Sequence, residues 1–82
     1  NSMAAAERGD AKAQLETGTR FARGEGVDRN DAEAAKWLRK AADQGLQGAM
    51  TTIGMMYREG NGVERDEAKA KEWFRRAGFD DF

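Results

Sequence analysis

Two stretches of the chain place apolar residues at the spacing of an amphipathic helix. In both, the apolar residues are three and four positions apart, which puts them on one face of an α-helix. Large and small side chains alternate within each stripe, as expected where two helices interlock closely. The first stripe is Ala34, Trp37, Leu38, Ala41 and Ala42, and the second is Ala70, Trp73, Phe74 and Ala77.

The two stripes belong to a repeat with a period of 36 residues. Twelve residues between Gly9 and Leu46 are identical to the residue 36 positions later, where chance gives about two or three. A period of this length is typical of helical solenoids. The twelve are Gly9, Ala13, Gly18, Gly24, Gly26, Val27, Arg29, Ala32, Ala34, Trp37, Arg39 and Ala41.

Each unit is predicted to be a helix, a seven-residue loop and a second helix. Gly24 and Gly60 suit the left-handed position that ends a helix, and Asn30 and Asp66 suit the N-cap of the next one. The sequence therefore predicts an all-α superhelix of two helix–turn–helix repeats with four helices. The helices are expected at 10–23, 31–44, 47–59 and 67–77.

The predicted domain organisation follows from the repeat. We expect a flexible N-terminus at 1–8, unit one at 9–45, unit two at 46–78 and a C-terminal tail or cap at 79–82. Asn1-Ser2-Met3 has the look of residues left by cloning. Phe79 and Phe82 either fold back over the exposed end or belong to a frayed tail.

Composition argues against several classes of function. The chain has 14 Lys and Arg against 15 Asp and Glu, so no general attraction to nucleic acid or anionic lipid is expected. It has no histidine and no cysteine, which removes the commonest general base and the usual metal ligands. No stretch approaches the ~20 apolar residues that span a bilayer. We expect no catalysis, metal or cofactor.

The loops and acidic residues do not support more specialised sites. The Gly-x-Gly-Val loops follow a helix and lack the Gly-Lys-Ser/Thr ending of a phosphate loop. Asp28, Asn30 and Asp31 lie close together but lack the glycine and glutamate spacing of a calcium loop. Helix capping is the better explanation for them.

The repeated pattern resembles the Sel-like repeat family, which is related to tetratricopeptide repeats. It carries alanine, the mid-helix glycine, Phe21 or Tyr57, the Gly-x-Gly-Val loop and tryptophan at fixed offsets, from about Gly9 to Gly78. The family usually has leucine before the mid-helix glycine, where this chain has Thr17 and Ile53. The resemblance implies a right-handed stack of helix pairs whose first helices line a concave, partner-binding surface.

That geometry assigns two groups of residues. Those expected to hold the stack together, with each mid-helix glycine against its own unit's tryptophan, are Gly18, Phe21, Trp37, Gly54, Tyr57 and Trp73. Those expected on the concave face are Lys12, Leu15, Thr19, Ala22 and Arg23 of unit one, with Gly48, Thr51, Met55, Arg58 and Glu59 of unit two. An alternative is that some apolar residues of the first helices belong to the core or are scattered on the surface, and do not form a binding face. These residues are Leu15, Met50, Met55 and Met56.

The sequence therefore predicts a protein–protein interaction scaffold that presents a concave groove to a peptide or partner protein. The alternative is a structural or self-associating part of a longer repeat array, with no groove of its own. Two repeats leave much interface unburied, so a longer array, a capping tail or a homodimer through the repeat ends is expected. The compartment stays open, because bacterial cytoplasm and periplasm are both compatible with the chain.

Overall fold

The fold is a stack of antiparallel helix pairs, seen in a computed structural model that describes residues 2–79. These residues form five α-helices and no strand. Asn1 and residues 80–82, including the expected capping residue Phe82, lie outside the described part. The helices are α1 (Ser2–Glu7), α2 (Ala11–Arg23), α3 (Asp31–Asp43), α4 (Gln47–Glu59) and α5 (Glu67–Arg76).

Local signals explain where three of the four longer helices begin, and where the first helix of each pair ends. The carboxylate or amide oxygens of Asp10, Asn30 and Asp66 accept hydrogen bonds from backbone N–H groups three residues later, as N-caps do. Gly24 and Gly60 adopt φ values of 70° and 71°, and each N–H donates to a carbonyl of the last helical turn. Glycine suits this left-handed conformation because it has no Cβ.

The two helical hairpins close in the same way. The N–H of Asn30 donates to the Phe21 carbonyl at 2.9 Å, and the N–H of Asp66 donates to the Tyr57 carbonyl at 2.9 Å. Each bond joins the start of the second helix to the last turn of the first. The 36-residue repeat in sequence is thus also a repeat in backbone hydrogen bonding.

The mid-helix glycines allow the two helices of each pair to approach closely. A Cβ built on Gly18 would lie 2.7 Å from Leu38 Cγ, and one on Gly54 would lie 3.0 Å from Phe74 Cε1. The expected contact was with the tryptophans, so this detail is corrected. The ring or side chain over each glycine belongs to the residue after the tryptophan.

Residues 2–7 form a helix, although the sequence was interpreted as a flexible N-terminus there. Ala6 is 1% exposed, and the Ala6 carbonyl accepts a hydrogen bond from Gln14 Nε2 at 3.2 Å. The Ala5-Ala6-x-x-Gly9 sequence repeats Ala41-Ala42-x-x-Gly45 at the same period. Helix α1 therefore corresponds in register to the second half of α3, and the described fold has five helices where four were expected.

The core runs along the stack between the helix pairs. Trp37 and Trp73 are 7% and 9% exposed, so neither indole faces open solvent. Trp37 packs in a small cluster with Ala6 and Ala13, while Trp73 belongs to the main cluster. The main cluster also contains Leu38 and Ile53, the two large side chains buried most completely among the described residues.

Candidate functional site

A shallow depression of about 630 Å³ opens between α2, the loop that follows it and the residue that precedes α4. Leu15 of α2 and Leu46, which precedes α4, supply its apolar surface. The other residues that line it are Lys12, Glu16, Thr19, Arg20 and Glu25. We call this depression the inner groove.

The start of α4 shapes the inner groove. Leu46 stands at the N-cap position and makes no side-chain capping bond, unlike the polar N-caps of the other long helices. Gly48 lacks a side chain, and a Cβ there would lie 3.6 Å from Leu15 Cδ2. A side chain at Gly48 would therefore contact Leu15 at the edge of the groove.

Charged side chains of both signs surround the apolar floor. Arg20 Nη2 lies 3.5 Å from Glu16 Oε1, and both side chains are more than half exposed. Such an exposed pair contributes only about 0–1 kcal/mol to stability, so both side chains are available to a partner at little energetic cost. Lys12 and Glu25 add one charge of each sign, so the groove has no overall electrostatic sign.

The structure brings together part of the residue set expected on the concave face. Lys12, Leu15 and Thr19 line the inner groove, and Thr19 Oγ1 is held by donating to the Leu15 carbonyl at 2.9 Å. Gly48 faces Leu15. Ala22 is half-buried and packs against the main core.

The remaining expected residues do not line the inner groove. Arg23, Thr51, Met55, Arg58 and Glu59 lie outside it. Met55 is 48% exposed on α4, whereas Met50 and Met56 are buried in the core. The guanidinium of Arg58 lies 5.8 Å from the Phe74 ring centroid, and Glu59 accepts a hydrogen bond from Asn61 Nδ2.

Four groove residues were missed from the sequence: Glu16, Arg20, Glu25 and Leu46. Glu16 and Arg20 have opposite charges and are four residues apart, a spacing that indicates an ion pair on the exposed face of a helix. A leucine at a position where polar caps are preferred was the signal for Leu46. Nothing in the sequence around Glu25 indicates that its side chain reaches the groove.

The described residues offer little else for chemistry. Across residues 2–79, no group of three or more His, Cys, Asp or Glu side chains is arranged to hold a metal ion. Within the same range, no helix is both long and apolar enough to cross a membrane.

Solved structures with the same fold were found by comparison. The chain is 45% identical to a protective antigen of uropathogenic Escherichia coli that displays an SLR fold, with a TM-score of 0.90. It is 42% identical to a Sel1 repeat protein from Oxalobacter formigenes, with a TM-score of 0.83. Each match covers 93% of this chain, which spans 16% and 57% of those two proteins respectively. A search of curated proteins found no match.

The family model for the Sel1 repeat matches residues 11–46 and 48–78. The two matched segments divide the chain at the start of α4, between the two helix pairs. Proteins of this kind commonly mediate protein–protein interactions and are generally non-enzymatic scaffolds. On the sequence match and the shared fold together, this chain belongs to the Sel1 repeat family.

Proposed function

We propose that the chain is a protein-interaction module that binds a short peptide segment in the inner groove. The observation that supports this most is the half-buried pair Leu15 and Leu46, which both line a depression of about 630 Å³ at the junction of the two units. A volume of this size lies in the range that holds a few side chains of a ligand.

The lining residues suggest the chemistry of the bound segment. One large apolar side chain would contact Leu15 and Leu46, since burying such a group contributes about 1.5–3 kcal/mol. The flanking residues would be polar, because Lys12 and Arg20 can pair with carboxylates and Glu16 and Glu25 with basic side chains. Oppositely charged flanks fix the direction of a peptide more than they add affinity.

Other partner classes have less support. The net charge of -1 gives no electrostatic basis for nucleic-acid binding. The open face of the groove suits an extended or helical peptide better than an enclosed small molecule. The homodimer expected through the repeat ends would bury the ends of the stack and not the floor of the groove.

The test begins with a displayed library of random peptides selected on the immobilised chain. A selected peptide, labelled with a fluorophore, is then titrated with the wild-type chain and two variants by fluorescence anisotropy. Leu15→Glu places a charge on the groove floor and should weaken binding at least tenfold. Met55→Glu makes the same kind of change on α4 outside the groove and should leave the dissociation constant within about twofold.

A further variant is needed in case Leu15→Glu weakens binding only because it unfolds the chain. Thr19→Lys narrows the groove from a half-buried helical position and should also weaken binding, with an unchanged circular dichroism spectrum. If Met55→Glu abolished binding while Leu15→Glu and Thr19→Lys retained it, the inner groove would be rejected as the site. Equal binding by all variants would reject it too.

A further inference from the structure

The loop between the two helices of unit two contains the only Asn-Gly pair of the chain, Asn61-Gly62. The pair lies within the Gly-x-Gly-Val pattern that both units share, and unit one has Glu25 where unit two has Asn61. An asparagine followed by glycine cyclises readily, because glycine has no side chain to hinder attack by its own backbone nitrogen. The glycines of the pattern are explained by the closure of the hairpin, whereas this asparagine is not.

The surroundings of Asn61 leave the reacting groups accessible. Asn61 and Gly62 are both exposed, so water reaches this part of the loop. The N–H of Gly62 makes no hydrogen bond to any residue that the structure describes, so no such bond holds its nitrogen away from the side chain. Asn61 Nδ2 donates to Glu59 Oε1 at 3.3 Å, an exposed hydrogen bond that water can replace at little cost.

Asn30 is an asparagine of the same chain whose side chain is held in place. Its Oδ1 accepts a hydrogen bond from the N–H of Glu33 at 3.0 Å and so caps α3. Cyclisation would break this cap, which stabilises the helix. The next residue is Asp31, whose side chain hinders attack by its nitrogen. We therefore expect Asn30 to stay intact under conditions in which Asn61 reacts.

We propose that Asn61 is a site of spontaneous deamidation, through a cyclic imide formed with the backbone nitrogen of Gly62. That nitrogen attacks Asn61 Cγ, its proton leaves with the side-chain amino group as ammonia, and a succinimide ring remains. Water then adds to one of the two ring carbonyls. Cleavage of the bond between Cγ and nitrogen gives aspartate, whereas cleavage of the bond between the main-chain carbonyl carbon and nitrogen gives isoaspartate.

The two products differ in their effect on the junction between the units. A Cβ on Gly62 would collide with the Asp31 carbonyl, so the backbone of this loop rests on the first turn of α3. Isoaspartate inserts a methylene group into the main chain directly before Gly62 and therefore displaces this contact. Aspartate keeps the main chain and adds only an exposed carboxylate near Glu59. The loop thus couples a change in one side chain to the packing of unit two on unit one.

The test follows both asparagines while the wild-type chain is kept in mildly alkaline buffer. Trypsin cleaves after lysine and arginine, so it releases Asn30 in the peptide 30–36 and Asn61 in the peptide 59–65. Mass spectrometry detects the replacement of an amide by a carboxyl group, and a synthetic peptide of residues 59–65 gives the rate without the fold. Asn61 should react within about threefold of the peptide rate, because exposed loops open at little free-energy cost. Asn30 should react at least ~10-fold more slowly.

Two variants locate the reaction. Asn61→Gln keeps an amide but lengthens the side chain by a methylene group, and should abolish the mass change in the peptide 59–65. Glu25→Asn places the same pair in unit one, where a Cβ on Gly26 would meet no atom within 4 Å, and should react at least as fast as Asn61.

Two results would overturn the proposal. One is that Asn61 in the folded chain reacts more than about tenfold more slowly than in the peptide, or no faster than Asn30. The other is reaction in the Glu25→Asn loop without reaction at Asn61, because the packing of Gly62 on α3 would then prevent cyclisation.

The isoaspartate form, separated by chromatography, tests the effect on the junction. Its melting temperature should lie below that of the wild-type chain by about 5 °C or more, whereas that of Asn61→Asp should lie within about 2 °C of wild type. Equal melting temperatures of the isoaspartate form and Asn61→Asp would contradict the coupling between this loop and the packing of the two units.

Discussion

The two repeats have the same backbone but differ in how completely they are buried. Unit two lies against a full helix of its predecessor, and its Tyr57 is 5% exposed. Unit one lies against the six residues of α1, and its Phe21 is only half-buried. The comparison teaches that the repeat motif specifies the hairpin, while burial depends on the neighbouring helix, as expected of a solenoid.

The largest effect should come from truncating the equivalent aromatic residues. Tyr57→Ala should cost about 3–5 kcal/mol in the free energy of unfolding, because it opens a cavity in the main core. Phe21→Ala should cost about half as much, since solvent already reaches part of the ring. Urea unfolding followed by circular dichroism measures both, and equal losses would contradict the difference in burial.

The equivalent loop glycines provide a second matched pair. Gly26→Ala should cost about 1–2 kcal/mol, because both glycines adopt positive φ and alanine is strained there. Gly62→Ala should cost at least ~2 kcal/mol more, since the new methyl group meets the backbone of Asp31. Thermal unfolding of the two variants gives the comparison. Similar losses would mean that the second loop does not rest on α3.

The smallest expected changes in the free energy of unfolding have opposite signs in the two units. Thr17→Val should stabilise the chain by about 1 kcal/mol, because it removes an unpartnered buried hydroxyl while keeping the branched shape. Ile53→Val, at the equivalent position, should cost about 0.5–1.5 kcal/mol through the lost methylene. The midpoints of urea unfolding of both variants and of the wild-type chain measure the two changes. A destabilising Thr17→Val would show that the hydroxyl has a partner in solution.

The four long helices could be predicted from the sequence because their ends carry local chemistry. The N-caps Asn30 and Asp66 and the left-handed glycines Gly24 and Gly60 act within a few residues, so the sequence alone identifies them. Helix α1 was missed although Ala5 and Ala6 repeat Ala41 and Ala42. Six residues hold less than two helical turns, and their helicity depends on packing against α2, which a periodicity argument does not capture.

The candidate site was predicted only in part for a similar reason. Lys12, Leu15 and Thr19 could be predicted because they are three and four positions apart, and so lie on one face of α2. The contributions of Leu46 and Glu25 depend on how α4 and the hairpin loop lie against α2, which no single-helix pattern contains. The residues that pack over the mid-helix glycines are Leu38 and Phe74, each one position after the tryptophan that we expected there. The spacing of apolar residues identifies the buried face of a helix, but it does not distinguish two adjacent residues on that face.

Residue-resolved amide hydrogen exchange tests the central claim most directly, because protection reports how firmly each helix is held by its neighbours. The account predicts that amides of residues 53–57 in α4 exchange more slowly than those of residues 17–21 in α2, with α1 the fastest of the helices. Equal protection of α2 and α4, or greater protection of α2, would contradict it.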